Sequence, residues 1–369
     1  MRTLSGRIAL AAGSMLAGQI HFDTAISSIE KSDAPSDYIL PGFVDLQVNG
    51  SHGIDVMSAS ADGLIEISEK LAREGTTAWL PTAVTSPIEQ IEKVHRAIGE
   101  AIARQQRDDH PGARMLGMHL EGPFISPMRL GAHPKLNLEP RGEAFERVMA
   151  LEHLKLVTLA PELPGALDAI KRLTSRGVVV SIGHTNATFE EASAGIAAGA
   201  RMFTHLFNAM RPLNHRDPGV VAAALTGGVA MPAVIPDGVH LTPEILRLVY
   251  MTRTSRRMLM TTDKVALAGA STGSAMTVGR ERARGVDGAA RLPGGTLAGA
   301  TISMLEGARV MRNIGAGIGD IAMMAAGNPA GLLKETQRGR LQPGAVSDII
   351  VLDEALTLKT VFLAGRELR

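Results

Sequence analysis

The chain has 369 residues, 45% of them hydrophobic, 3% aromatic and 20% charged, with a formal net charge of +1. That apolar share supports one large domain plus a smaller one and excludes a disordered chain, while the near-neutral balance gives no electrostatic case for nucleic acid or an acidic membrane surface. Cysteine is absent, which excludes disulfides and thiolate metal sites and leaves His, Asp and Glu as the candidate metal ligands.

The opening stretch MRTLSGRIALAAGSMLAGQIHF sets Arg2 and Arg7 before an apolar run, faintly like a secretory signal. Gly13 and Ser14 break that run and strand-like alternation follows, so two strands of the mature fold and a cytoplasmic protein are expected. No apolar run reaches bilayer-spanning length, and no membrane association is expected. From residue 41 onward apolar runs alternate with helical stretches. FVDLQV, TAWLPTAV, RMLGMHL, LKLVTLA, GVVVSIG, ARMFTHL, AMPAVIP and RMLMTT are eight candidate strands of the buried parallel type. Ser86-Pro87-Ile88-Glu89 and Thr188-Phe189-Glu190-Glu191 fit capping boxes, and Thr242-Pro243 opens a helix ending near Arg253.

Eight strand–helix units predict a (β/α)8 barrel over 41–335. A doubly wound open sheet is the alternative, but no G-x-G-x-x-G follows the early strands. Ala266 to Gly299 is Gly-rich without helical period and reads as an elaborated loop after the eighth strand. Residues 1–40 and 336–369 read as short strands joined by Gly turns. Neither segment buries its apolar face alone, so the two are expected to pair as one small β-sandwich domain.

The polar residues that end the strands carry the chemistry. Glu121 ends the third strand, His184 the fifth, His205 the sixth and Asp263 the eighth. In a parallel barrel all strand C-termini open on one rim, so these four side chains converge. Two His and a carboxylate form a three-ligand set with an open position, the pattern of catalytic zinc, and a second carboxylate opposite can take and return a proton. Taken singly, each has a structural alternative: a hydrogen-bonded His, Glu121 paired with an Arg, Asp263 capping a turn. Four at the same end of four strands favour the functional reading.

PGFVDLQVNG, HLEGPF followed by GAHP, VTLAPE, GHTNATFEEA, THLFNAM, PDGVHL, TTD, GGTLAGA, NPA and LQPGAVSDIIVLD together resemble the N-acetylglucosamine-6-phosphate deacetylases of the amidohydrolase superfamily, almost end to end. The resemblance implies one divalent metal per chain, zinc, on Glu121, His184 and His205, with Asp263 as general base and then acid. It implies that His133 polarises the acetyl carbonyl, and that Asn208, the backbone of Ala209 and His240 meet the sugar phosphate. Arg216 matches an arginine that reaches the phosphate across a homodimer interface, and Asp217-Pro218 opens a helix whose N-terminus favours negative charge. The implied reaction turns N-acetylglucosamine 6-phosphate into glucosamine 6-phosphate and acetate, a step of amino-sugar metabolism.

Many amidohydrolases bind two metals through His-x-His at the end of strand one. Here Gln47 and Asn49 occupy those places, and amides rarely hold a transition metal. His52 and His119 could complete a second site, although a loop role for the first and a supporting role for the second are expected. Lys264 stands after Asp263 where a small residue is expected. The rival readings are a deacetylase of another N-acetylhexosamine phosphate, a two-metal amidohydrolase acting on a different amide, and a barrel relative without catalysis.

Overall fold

The computed structural model describes residues 1–33, 36–107, 112–270, 274–278 and 281–368. The eight expected strands form at Phe43–Val48, Thr76–Val84, Met118–Glu121, Leu154–Leu159, Val179–Ile182, Met202–Phe203, Met231–Val234 and Leu259–Met260. Each pairs in parallel with the next in sequence. The first and last are joined by a parallel bridge between Val48 and Lys264, where the Asn49 N–H donates to the Lys264 carbonyl at 2.7 Å. The chain is therefore a (β/α)8 barrel.

The barrel interior is layered because side chains alternate along each strand. Val44, Leu46, Leu80, Leu156, Met202 and Leu259 share one buried apolar cluster, capped below by Ala330 and Leu333. Two residues further along, the same faces carry Thr82, Thr158, Ser181 and Thr204, joined to His119 by hydrogen bonds. Two residues beyond Leu120's neighbour His119 stands Glu121, at the mouth. Helix packing follows the caps that the sequence supplies. Thr188 and Glu191 form a capping box in both directions, and the helix Pro243–Arg253 carries Pro at its start. Ser86, at the start of the helix Ile88–Arg107, has no cap hydrogen bond among the described residues and lines the cavity described below.

The termini build a second layer. Seven strands run in the order Arg366–Leu368, Leu358–Leu363, Ile349–Leu352, Tyr38–Pro41, Arg2–Ala9, Met15–Phe22, Ile26–Lys31. Phe22 and Phe362 lie on strands four steps apart, a separation of roughly 19 Å in a flat sheet. Their rings are nevertheless 5.1 Å apart, edge to face, so the sheet folds over on itself as a sandwich. Ile8, Ile20, Ile26, Ile39, Ile349 and Val351 fill the space between its halves.

The segment after strand eight departs from expectation. Its described residues form an antiparallel sheet of Ala275–Val278, Glu281–Val286, Ala289–Arg291 and Leu297–Ala300. Asp287 and Gly288 join two of these strands with φ of 49° and 85°, the two-residue hairpin turn that Asp-Gly favours. Gly content marked a loop, but the Asp-Gly dipeptide was a hairpin signal. Among the described residues no helix is long and apolar enough to cross a membrane.

Candidate active site

At the C-terminal rim Glu121, His184 and His205 bring one donor atom each within 4.8 Å of the others, all three residues buried. Glu121 Oε1 lies 3.2 Å from His184 Nε2 and 3.0 Å from His205 Nε2, and the two nitrogens are 3.1 Å apart. Tetrahedral ligands about 2.0–2.1 Å from a zinc-sized ion stand roughly 3.3 Å from one another, so these spacings suit such an ion. His184 Nδ1 is 3.0 Å from the Arg129 carbonyl, which can only accept; that nitrogen carries the proton and Nε2 keeps its lone pair for a metal. Burial alone would raise the Glu121 carboxyl, yet the neighbouring imidazoles of His133, His184 and His205 together hold it well below the usual carboxylate range. An ionised carboxylate facing two imidazole nitrogens is a donor set that calls for a cation.

Asp263 stands opposite. Burial, then the charge of Glu121, pushes its carboxyl up to about 8. The residues that hold it are the two amides at the end of strand one. Gln47 Nε2 donates to Glu121 at 3.0 Å and to Asp263 at 2.9 Å, and Asn49 Nδ2 donates to Asp263 at 2.7 Å. A register shift between Asp45 and Val48 re-aims this stretch toward the mouth. The amides at the end of strand one thus orient the Asp263 carboxyl. His184, His205 and Asp263 all have positive φ (47°, 28° and 52°), a backbone state that non-glycine residues take at some energetic cost and that recurs at functional sites.

A cavity of about 390 Å³ opens above these groups. His133 lines it, hydrogen-bonded through Nδ1 to Thr85 at 2.8 Å, with Nε2 3.7 Å from Glu121. Asn208, Ala209 and His240 line it as well. His240 Nδ1 is held 2.5 Å from Asp237, whose other oxygen takes the backbone N–H groups of Val239 and His240, so Nε2 is left for a ligand. The Ala209 N–H has no acceptor among the described residues. Arg216 is exposed and does not line the cavity of its own chain. The helix beyond it starts at Gly219, and Asp217 pairs with Arg211 at 2.5 Å.

His52 and His119 do not belong to the metal-compatible cluster among the described residues. His119 is buried between Thr158 and the Leu46 carbonyl, and burial lowers its pKa to about 4, so it is a neutral prop beneath Glu121. His52 hydrogen-bonds Ser51 at 2.7 Å and lies 3.7 Å from Glu74, away from the three ligands. Lys264 also turns to Glu74: one step beyond Asp263, alternation directs its side chain away from the mouth into a buried ion pair with the C-cap of the helix Ala61–Arg73.

Residues 38–368 match the model of the amidohydrolase family. The chain belongs to that family. Within it, an N-acetylglucosamine-6-phosphate deacetylase of Danio rerio is 36% identical over 366 residues, covering 95% of this chain and 89% of its own. An N-acetylgalactosamine-6-phosphate deacetylase of Escherichia coli O157:H7 is 34% identical, covering 93% and 92%. The structure of a variant N-acetyl-D-glucosamine-6-phosphate deacetylase from Mycobacterium smegmatis, in complex with N-acetyl-D-glucosamine-6-phosphate, superposes with a TM-score of 0.90 at 31% identity over 99% of this chain and 98% of its own. Glu121, His184, His205 and Asp263 lie at the C-terminal ends of barrel strands, where barrel enzymes place their active sites. Asp55, Thr85 and Asp237, all absent from the sequence-based site, belong to this rim. Only Asp237 had a readable signal, the D-x-x-H spacing to His240 in a tight Gly loop.

Proposed function

We propose that this chain hydrolyses N-acetylglucosamine 6-phosphate to glucosamine 6-phosphate and acetate. The observation that carries the reading is one carboxylate, Asp263, poised beside a three-ligand set at the floor of a cavity with anion-compatible donors on its wall. Glu121, His184 and His205 would hold one divalent metal, zinc, which supplies Lewis acidity to a water and to the amide carbonyl. Asp263, fixed by Gln47 and Asn49, takes the proton of the attacking water and returns it to the leaving amine. His133, oriented by Thr85, donates to the oxygen that gains charge. Asn208, the Ala209 N–H and His240 receive the phosphate. Arg216, exposed on its own chain, completes that subsite from a second copy in a homodimer. Residues 1–40 with 336–369 act as the supporting unit and 41–335 as the catalytic one, in a cytoplasmic enzyme of amino-sugar metabolism.

The test is acetate release from N-acetylglucosamine 6-phosphate before and after chelation, with metal counted per chain. Release that stops on chelation and returns with about one equivalent of metal supports the site. Metal-loaded protein that releases nothing refutes it. The same assay on the galactosamine epimer distinguishes the two substrates named for its relatives.

A further inference from the structure

We propose that Asp55 is the hydroxyl-recognising residue of the cavity, accepting a hydrogen bond from a pyranose hydroxyl beside the carbon that bears the acetamide. This rests on the deacetylase reading above. Asp55 lines the cavity together with Asn49, Met57 and Ser86, yet has no place in the metal set or the proton transfer. It ends a two-residue strand, Ile54–Asp55, paired with Gly50–Ser51. That hairpin is anchored at the barrel seam, where the Gly50 N–H donates to the Lys264 carbonyl at 3.1 Å. The carboxylate is fixed in turn: Oδ1 accepts the Met57 N–H at 2.8 Å. Its second oxygen has no donor and no cation among the described residues. Burial, with nothing charged to offset it, pushes the Asp55 carboxyl up.

A rigid, partly desolvated acceptor facing a ligand cavity costs stability unless a ligand or water donates to it. The chemistry of the substrate says which donor. In an eight-strand ring the rim after strand two lies across from the rim after strand six. Thr85 and Ser86 therefore face Asn208 and Ala209 across the mouth, and Asp55, after strand one, occupies the rim position neighbouring Thr85 in the same cavity. A phosphate held on the far wall is kept off the near wall by like charge. In the pyranose the acetamide carbon lies across the ring from the carbon bearing the phosphomethyl arm. With the acetamide over the metal ligands and the phosphate at strand six, the hydroxyls at C1 and C3 flank the near wall. A carboxylate is a strong acceptor for either, and a charge-assisted bond of this kind is among the stronger ones in proteins.

The test uses Asp55→Ala and Asp55→Asn on the metal-loaded enzyme with N-acetylglucosamine 6-phosphate and its 1-deoxy and 3-deoxy analogues. Asp55→Ala should lower kcat/KM by about 10- to 100-fold, the range of a lost hydrogen bond to a charged group, mostly through KM and with metal content unchanged. Wild type should lose a similar factor on one deoxy analogue, and Asp55→Ala should lose nothing further on that one. Asp55→Asn, nearly isosteric, carries the test if the alanine variant folds poorly, and should fall between the two. Unchanged kcat/KM in the variants, or deoxy penalties as large in Asp55→Ala as in wild type, overturns the assignment of Asp55 alone. Wild type inactive on the parent substrate overturns the deacetylase reading itself.

Discussion

Lys264 and Glu74 form an ion pair whose two halves should respond unequally to mutation. The Lys264 side chain is 2% exposed and that of Glu74 is 25% exposed. In Glu74→Gln the ammonium is left buried without its counter-charge, a loss of about 3–5 kcal/mol for an uncompensated buried charge. In Lys264→Met the thioether side chain fills most of the lysine stem's volume and the abandoned carboxylate can draw water, so about 1–2 kcal/mol is expected. The double variant should recover much of the Glu74→Gln loss, because no buried charge is then unpaired. At about 2.1 cal/mol/K per residue, 369 residues give an unfolding entropy near 0.8 kcal/mol/K, so Glu74→Gln should lower Tm by roughly 4–6 °C and Lys264→Met by roughly 1–3 °C. Thermal melts of the metal-free protein at one pH and scan rate measure both. A Glu74→Gln variant that melts at or above Lys264→Met would refute the idea that the lysine is the more deeply desolvated partner.

Asp263→Asn should keep its metal and lose about 10²- to 10⁴-fold in kcat, the range for a general acid–base group; turnover near wild type would remove Asp263 from the proton path. Gln47→Leu deletes a donor shared by Glu121 and Asp263, and should cut kcat at least about tenfold at unchanged metal stoichiometry, on the strength of one hydrogen bond to a charged group. His95 is half-buried beside His153, and burial, then that neighbour, lowers its pKa. A lowered folded value means the unfolded chain takes up the proton first, so this contribution is intact above the unfolded pKa and declines as pH falls below about 6.5. The drop in Tm between pH 7.5 and 5.5 should therefore be smaller in His95→Gln than in wild type, and an equal or larger drop in the variant would refute it.

The barrel and its converging strand-end groups were readable because their signals are local. Each strand is a short apolar run bounded by Gly, Pro or a cap, and parallel pairing brings every strand end to one rim, so Glu121, His184, His205 and Asp263 could be grouped without knowing a single distance. The hairpins within 275–300 were hidden by glycine content, although Asp287-Gly288 marked a turn. Gln47 and Asn49 were legible as amides standing where many relatives carry His-x-His. Their use as donors to Asp263 was not, since it depends on a register shift in the first strand and on closure of the ring between strands one and eight.

The sequence by itself determined the alternation of strands and helices, the positions of the caps, and the residue types at the strand ends, because these depend on neighbours a few positions away. Only the tertiary structure decided what each strand-end group touches. Lys264 and Asp263 are adjacent in the chain, yet pleating sends one to Glu74 and leaves the other at the mouth. Asp55 and Asn208 are 153 positions apart, yet ring closure sets them in the lining of one cavity. Contacts of that kind follow from the curvature and register of the closed sheet, which no local stretch of residues encodes.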